Sequence, residues 1–140
     1  MEDIVFDPSI IYRRGLSDPK ALTPEERFVY LVMDLETLAD MEGWDHFFMY
    51  SSGGYLNELK AGLSSAGDTA SLAVLEDYEG RFLQQGIAME PEALEDFIMA
   101  QDDSYFANDR DWRDEFTAVI EERWKKIQQY LQGKGIHLLM

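Results

Sequence analysis

Apolar side chains recur at helical spacing along most of this chain. The first clear stretch runs from residue 24 to residue 42, where positions three and four apart are apolar, as in a helix with one buried face. Asp34, Glu36 and Asp40 fall away from that stripe and are predicted to point outward. Comparable stripes follow at residues 55–66, 74–85, 94–98 and 112–131, the last being the longest.

Alternation of apolar and polar residues, the pattern of a half-buried strand, is missing from the sequence over any useful length. Short connections between the helical stretches predict antiparallel helix neighbours. The fold class is therefore predicted to be all-α, a single compact domain of about six helices with an N-terminal arm.

Capping residues mark the expected helix boundaries. Thr23 and Glu26 are spaced as in a capping box, and Pro24 between them suits the first helical turn. Gly67 is predicted to end one helix, and Asp68 to cap the next.

The most aromatic stretch, residues 42–54, lies between two predicted helices. Trp44, Phe47 and Phe48 recur at i, i+3 and i+4, which places three rings on one face of a short helix. Each aromatic side chain buries about 150–250 Å², so this aromatic segment is predicted to be a centre of the core. The structural residues assigned to it are Gly43, Trp44, His46, Phe47, Phe48, Ser51, Ser52 and Gly53.

The chain divides into three parts. Residues 1–22 form an arm, in which Arg13-Arg14-Gly15 is predicted to end a single helical turn, and residues 23–133 form the helical domain. Residues 134–140 form an apolar tail, for which three roles are open: a short strand, a docked arm or a homodimer contact.

The balance of charge is strongly acidic. Twenty-eight Asp and Glu residues against twelve Lys and Arg give a net charge of −16 at pH 7. Nucleic acids and anionic membranes are poor partners for such a chain, because binding them requires cations that neutralise phosphates. Basic proteins are the expected partners, although acidity alone also favours solubility.

The acidic residues are unevenly distributed. Between residues 90 and 115 there are ten carboxylates against two arginines, and between residues 25 and 45 there are seven against one. Carboxylates four apart rise by about 6 Å along a helix, an interval comparable with phosphate spacing. The predicted partner-binding residues are Glu36, Asp40, Glu90, Glu92, Glu95, Asp96, Asp102, Asp103, Asp111, Asp114 and Glu115.

Catalytic and metal-binding patterns are missing from the sequence. The chain has no cysteine, and His46 and His137 lie in neither an HExxH nor a Glu-x-x-His arrangement. The run from Asp109 to Asp114 lacks the glycine and the glutamate of a calcium loop. No nucleophile elbow, P-loop or dinucleotide motif occurs. We therefore predict no catalytic residue, metal or cofactor.

The aromatic segment carries a resemblance. Gly43-Trp44-Asp45-His46-Phe47-Phe48 followed by Ser51-Ser52-Gly53 resembles a bacterial family of domains of largely unknown function, most closely over residues 22–85. The family pattern reads Gly-Gly-aromatic-x-Gln-aromatic-aromatic-x-Asn-Ser-Ser-Gly. This chain departs from it at Glu42, His46 and Tyr50. The characterised member of this family is a DNA-mimic protein, an acidic all-helical protein that occupies the DNA-binding face of a partner. The resemblance therefore implies that role here.

The resulting hypothesis is a cytoplasmic, non-enzymatic domain that binds a basic partner, a DNA-binding protein, without binding nucleic acid or membrane directly. One alternative is an immunity- or antitoxin-like inhibitor of a basic toxin or nuclease. Another is a hydrolytic or metal-dependent enzyme that uses His46 and nearby acids. The last is a scaffold domain whose acidity only keeps it in solution.

Overall fold

The structure, a computed structural model, describes residues 4–40, 44–51, 54–101 and 109–139. Within these ranges the side chains of Asp40, Asp45, His46, Tyr50, Ser51, Asp109 and Arg110 are not described.

The described chain is mostly helical, as predicted, with eight α-helices and one small sheet. The N-terminal half contains β1 (Ile4–Phe6), α1 (Pro8–Ser17), a 3-10 turn (Pro19–Ala21), α2 (Pro24–Asp40), α3 (Trp44–Ser51) and α4 (Gly54–Ser65). The C-terminal half contains α5 (Thr69–Leu83), α6 (Pro91–Met99), α7 (Asp109–Ala118), α8 (Ile120–Gln132) and β2 (Ile136–Leu138). None of the described helices is long and apolar enough to cross a membrane.

The sheet joins the two ends of the chain. β1 and β2 are parallel, with Ile4 opposite Ile136 and Phe6 opposite Leu138. Phe6, Ile136 and Leu138 are buried. The apolar tail is therefore a short strand, one of the three roles left open by the sequence. Three-residue strands are too short to show a period-2 pattern.

Helix α2 lies at the centre of the fold, in contact with α1, α3, α4 and α7. Val29, Leu31 and Leu35 have no exposed surface. The prediction that Asp34 points outward is wrong, because Asp34 is buried and its carboxylate accepts a hydrogen bond from the Tyr12 hydroxyl at 3.1 Å. Because α2 is covered on several sides, it has no single polar face. Its apolar stripe therefore predicts fewer buried residues than the structure contains.

The predicted capping box at the start of α2 is confirmed. The Glu26 backbone N–H donates to Thr23 Oγ1 at 3.2 Å, and the Thr23 N–H donates to Glu26 Oε1 at 3.0 Å. Asp68 caps α5 by accepting from the Ser71 N–H at 3.1 Å. Gly67, before it, takes the left-handed conformation that ends α4.

Two predicted boundaries are wrong. The C-terminal stripe forms two helices, α7 and α8, which meet at Val119. In a continuous helix the Phe116 carbonyl would accept from the amide four residues later, but here it accepts from Arg123 Nη1 at 2.9 Å. In the arm, Gly15 lies inside α1, where its bare Cα faces the Tyr30 ring and a Cβ would collide with it. Helix α1 of the arm lies on α2, with Ile11 buried.

Candidate functional site

The three rings of the aromatic segment at positions 44, 47 and 48 pack inside the core. Trp44, Phe47 and Phe48 are buried, and the Trp44 indole donates from Nε1 to the Leu35 carbonyl at 3.2 Å. The Trp44 ring also lies edge-on to Phe116 of α7, with centroids 5.3 Å apart. The segment therefore helps to fix α7 against α2.

One face of α5 supports both of the acid-rich helices. Tyr78 and Phe82 are four residues apart, so their rings are neighbours along that face. Trp112 of α7 packs on Tyr78 with centroids 5.3 Å apart, and Phe97 of α6 packs on Phe82 at 6.1 Å. Each acid-rich helix therefore places one aromatic side chain against α5, and α6 also packs against α3.

The described carboxylates of these two helices point away from the core. On α6, Leu94 and Ile98 are buried, and on α7 Phe116 is buried. The acids at the intervening positions are exposed. We call this set the acidic face: Glu90, Glu92, Glu95, Asp96, Asp111, Asp114 and Glu115.

Counter-charges are scarce on the acidic face. Among the described side chains, no Lys or Arg pairs with six of its seven members, namely Glu90, Glu92, Glu95, Asp96, Asp111 and Glu115. Like charges at Glu92 and Asp96, four residues apart, repel each other by a few tenths of a kcal/mol. This repulsion would be relieved by a cationic ligand.

The carboxylates of residues 25–45 are arranged differently, because those that are described have partners within the molecule. Glu25 pairs with Lys134 at 3.5 Å, and Glu26 pairs with Arg14 at 3.0 Å. Glu36, predicted from the sequence to bind a partner, lies 2.7 Å from Arg123 Nη2 and accepts from Trp124 Nε1. Its charge is used to join α2 to α8.

Several predicted site residues, or their side chains, lie outside the part of the chain that the structure describes. They are Gly43, Ser52, Gly53, Asp102 and Asp103, together with the side chains of Asp40, His46 and Ser51. The described part of the chain brings together no group of three or more His, Asp or Glu residues that could hold a metal ion.

Sequence reasoning missed Asp77, which lies between the two acid-rich segments. Its carboxylate is exposed and accepts from Trp112 Nε1 at 2.9 Å. Asp77 therefore places a further charge of α5 beside α7. A signal was present, since Ala70, Ala73 and Asp77 recur at i, i+3 and i+7 and must share one face of a helix.

Comparison with known proteins gives one match. A family model described as DMP19-like protein matches residues 20–134. No curated protein matches the chain, and no solved structure matches it.

Proposed function

This chain belongs to the DMP19-like protein family, and we propose that it is a protein-binding domain that acts as a DNA mimic. In this role the acidic face occupies the basic nucleic-acid-binding surface of a DNA-binding partner. The protein itself binds neither nucleic acid nor membrane and catalyses no reaction.

The observation that carries this proposal is the contrast between two groups of carboxylates. The described acids of residues 25–45 are used within the fold, as the Arg123–Glu36 pair illustrates. The seven carboxylates of the acidic face are exposed on two successive helices, and six of them pair with no cation among the described residues. A surface that keeps its charge uncompensated favours a cationic partner.

Spacing supports the same proposal. Glu92 and Asp96 on α6, and Asp111 and Glu115 on α7, are four residues apart. Such pairs rise by about 6 Å along each helix axis. Two successive helices that each present such a row offer Arg and Lys side chains fixed negative charges, to which they bind through charge-assisted hydrogen bonds.

The partner can be identified by affinity capture followed by competition. The tagged protein is incubated with bacterial lysate at about 50 mM and about 300 mM NaCl, between which electrostatic binding weakens strongly. We expect recovery of a basic DNA-binding protein at low salt only. Duplex DNA added to the captured complex should release that partner, because both ligands occupy one surface.

The outcomes separate the candidate functions. Capture of a basic toxin or nuclease whose activity is inhibited would support the immunity- or antitoxin-like alternative instead. Release by salt without release by duplex DNA would contradict mimicry and leave a general acidic binding surface. Recovery of no basic protein at low salt would contradict both kinds of binding.

A further inference from the structure

An open groove lies between α5 and α7, beside the acidic face. It has a volume of about 620 Å³ and is lined by Ala70, Ala73, Val74, Asp77, Glu115, Ala118 and Val119. Its floor is apolar and made of small side chains, and its only charged lining groups among the described residues are the two carboxylates.

The shape of the groove follows from the two helices that form it. Trp112 bonds to Asp77, whereas Arg123, beyond the end of α7, bonds to Ser71 near the start of α5. The two helices therefore run antiparallel. From Ala70 to Asp77 the groove extends over seven residues of α5, which is about 10 Å, or two helical turns.

Two carboxylates and five small apolar side chains line the groove. Asp77 lies at the end marked by Trp112, Glu115 lies about one helical turn further along α7, and Ala70, Ala118 and Val119 lie toward the other end. Small side chains on the floor allow the backbone of another helix to approach closely, as in ridge-into-groove packing. The two carboxylates favour an occupant that carries cations, which bind them through charge-assisted hydrogen bonds.

We infer that this groove binds an amphipathic basic helix of the partner protein, with the apolar stripe of that helix on the alanine floor and its Arg or Lys side chains against Asp77 and Glu115. This inference rests on the proposed function, since it assumes a basic partner, and it adds the secondary structure and the docking position of the segment that is bound. A second copy of this chain is a worse occupant, because each copy has a net charge of −16 and the two would repel.

The test uses two defined probes. One is a fluorescent peptide of leucine and lysine arranged to give a single apolar helical stripe, and the other is a scrambled peptide of the same composition and charge. Binding to each is measured by fluorescence anisotropy at about 50 mM and about 300 mM NaCl. At low salt we expect the amphipathic peptide to bind at least about tenfold more tightly than the scrambled one.

Two tryptophan variants test the location. Ala73→Trp fills the floor of the groove, and because Ala73 is exposed the core is left intact. Ala61→Trp, at an exposed position of α4 outside the groove, is the matched control. The preference for the amphipathic peptide should disappear in Ala73→Trp and persist in Ala61→Trp, while weak binding of the scrambled peptide is unchanged in both.

Each contrary result has a separate meaning. Equal, salt-sensitive binding of both peptides would contradict the inference that the groove binds a basic helix, and it would leave the proposed function standing. An unchanged preference in Ala73→Trp would also contradict that inference. Binding of neither peptide at low salt would overturn the inference and the proposed function together. Self-association of the wild type that is abolished by Ala73→Trp, measured by sedimentation, would assign the groove to a second copy and so overturn the inference.

Discussion

The guanidinium of Arg123, which has no exposed surface, lies 2.7 Å from the carboxylate of Glu36, 87 positions earlier in the chain. Burial lowers the pKa of Arg123, while the charges of Glu36 and Asp68 raise it. The same guanidinium donates to Ser71 Oγ at 3.1 Å and to the Phe116 carbonyl at 2.9 Å. One side chain therefore connects α2, α5 and the end of α7.

Removing the carboxylate from this pair should be strongly destabilising. In Glu36→Ala the Arg123 charge stays buried without its counter-ion, and we expect the free energy of unfolding to fall by about 3–5 kcal/mol. The measurement is urea unfolding followed by tryptophan fluorescence. Glu115→Ala removes an exposed carboxylate and should change stability by no more than about 0.5 kcal/mol.

A double variant separates charge from packing. Glu36→Gln combined with Arg123→Met removes both charges and keeps an acceptor for Trp124 Nε1, which now donates to Glu36 at 2.8 Å. It should be more stable than Glu36→Ala, because no cation remains buried without its carboxylate and Asp68 keeps the hydrogen bond from the Ser71 N–H. Equal stability of Glu36→Ala and Glu115→Ala would contradict the role assigned to the pair.

Three helical glycines give a matched test of close packing. A Cβ at Gly15 would collide with the Tyr30 ring, whereas a Cβ at Gly80 would meet nothing within 4 Å. Gly15→Ala should therefore lower the free energy of unfolding by about 1–3 kcal/mol. Gly80→Ala should raise it by about 0.5–1 kcal/mol, since alanine favours the helix. Gly62→Ala, where a Cβ would meet Phe28, should behave like Gly15→Ala; stabilisation of all three variants would contradict the packing.

The ionisation of Glu26 should make the stability of the folded protein depend on pH. Partial burial raises the pKa of this carboxyl, but hydrogen bonds with Thr23 and the charge of Arg14 outweigh burial and hold the pKa below its ordinary value. A lowered folded-state pKa stabilises the protein above the ordinary pKa, and this contribution is lost as the pH falls through the folded value. Glu26→Gln keeps the cap acceptor, so it should cost up to about 1 kcal/mol at pH 7.

The difference in the free energy of unfolding between wild type and Glu26→Gln should become smaller once the pH falls below about 4.5. Urea unfolding of both proteins across this range measures it. A difference that is constant with pH would show that the charge of Glu26 does not contribute. Arg14→Ala should reduce the pH-dependent contribution of Glu26 to the free energy of unfolding, because Arg14 lies 3.0 Å from Glu26.

Local signals predicted the helix boundaries that depend on neighbouring residues. The capping box of Thr23 and Glu26 and the cap by Asp68 form within one helical turn, so their residue types specify them. The three rings of the aromatic segment lie at helical spacing and are buried. The all-helical fold class, predicted from the same periodicity, is confirmed.

Features that depend on distant residues were not predictable from spacing. Asp34 is buried because Tyr12, 22 positions away, supplies a hydrogen bond, and α7 ends where Arg123 donates to the Phe116 carbonyl. Glu36 was grouped with the partner-binding acids because the sequence does not reveal its contact with Arg123. A charged residue on a helix looks exposed until its counter-ion is known.

The proposed function makes a prediction about the position of charge. A triple variant of α6, Glu92→Gln with Glu95→Gln and Asp96→Asn, removes three exposed carboxylates from the acidic face. We expect it to bind the scrambled basic peptide about tenfold more weakly at low salt, because three nearby attractions are lost. At high salt the wild type and the triple variant should bind the scrambled peptide with similar, weak affinity.

A variant of the arm provides the matched control for net charge. Ser9→Lys, Ser17→Lys and Ala21→Lys lie at exposed positions and raise the net charge by the same three units without changing the acidic face. Charges farther than a Debye length of about 10 Å are largely screened at 0.1 M salt. At about 0.1 M salt the arm variant should therefore retain nearly the affinity of the wild type, and the α6 variant measured at the same salt should bind more weakly. Equal weakening of the two variants would mean that overall acidity, and no particular surface, attracts the cation.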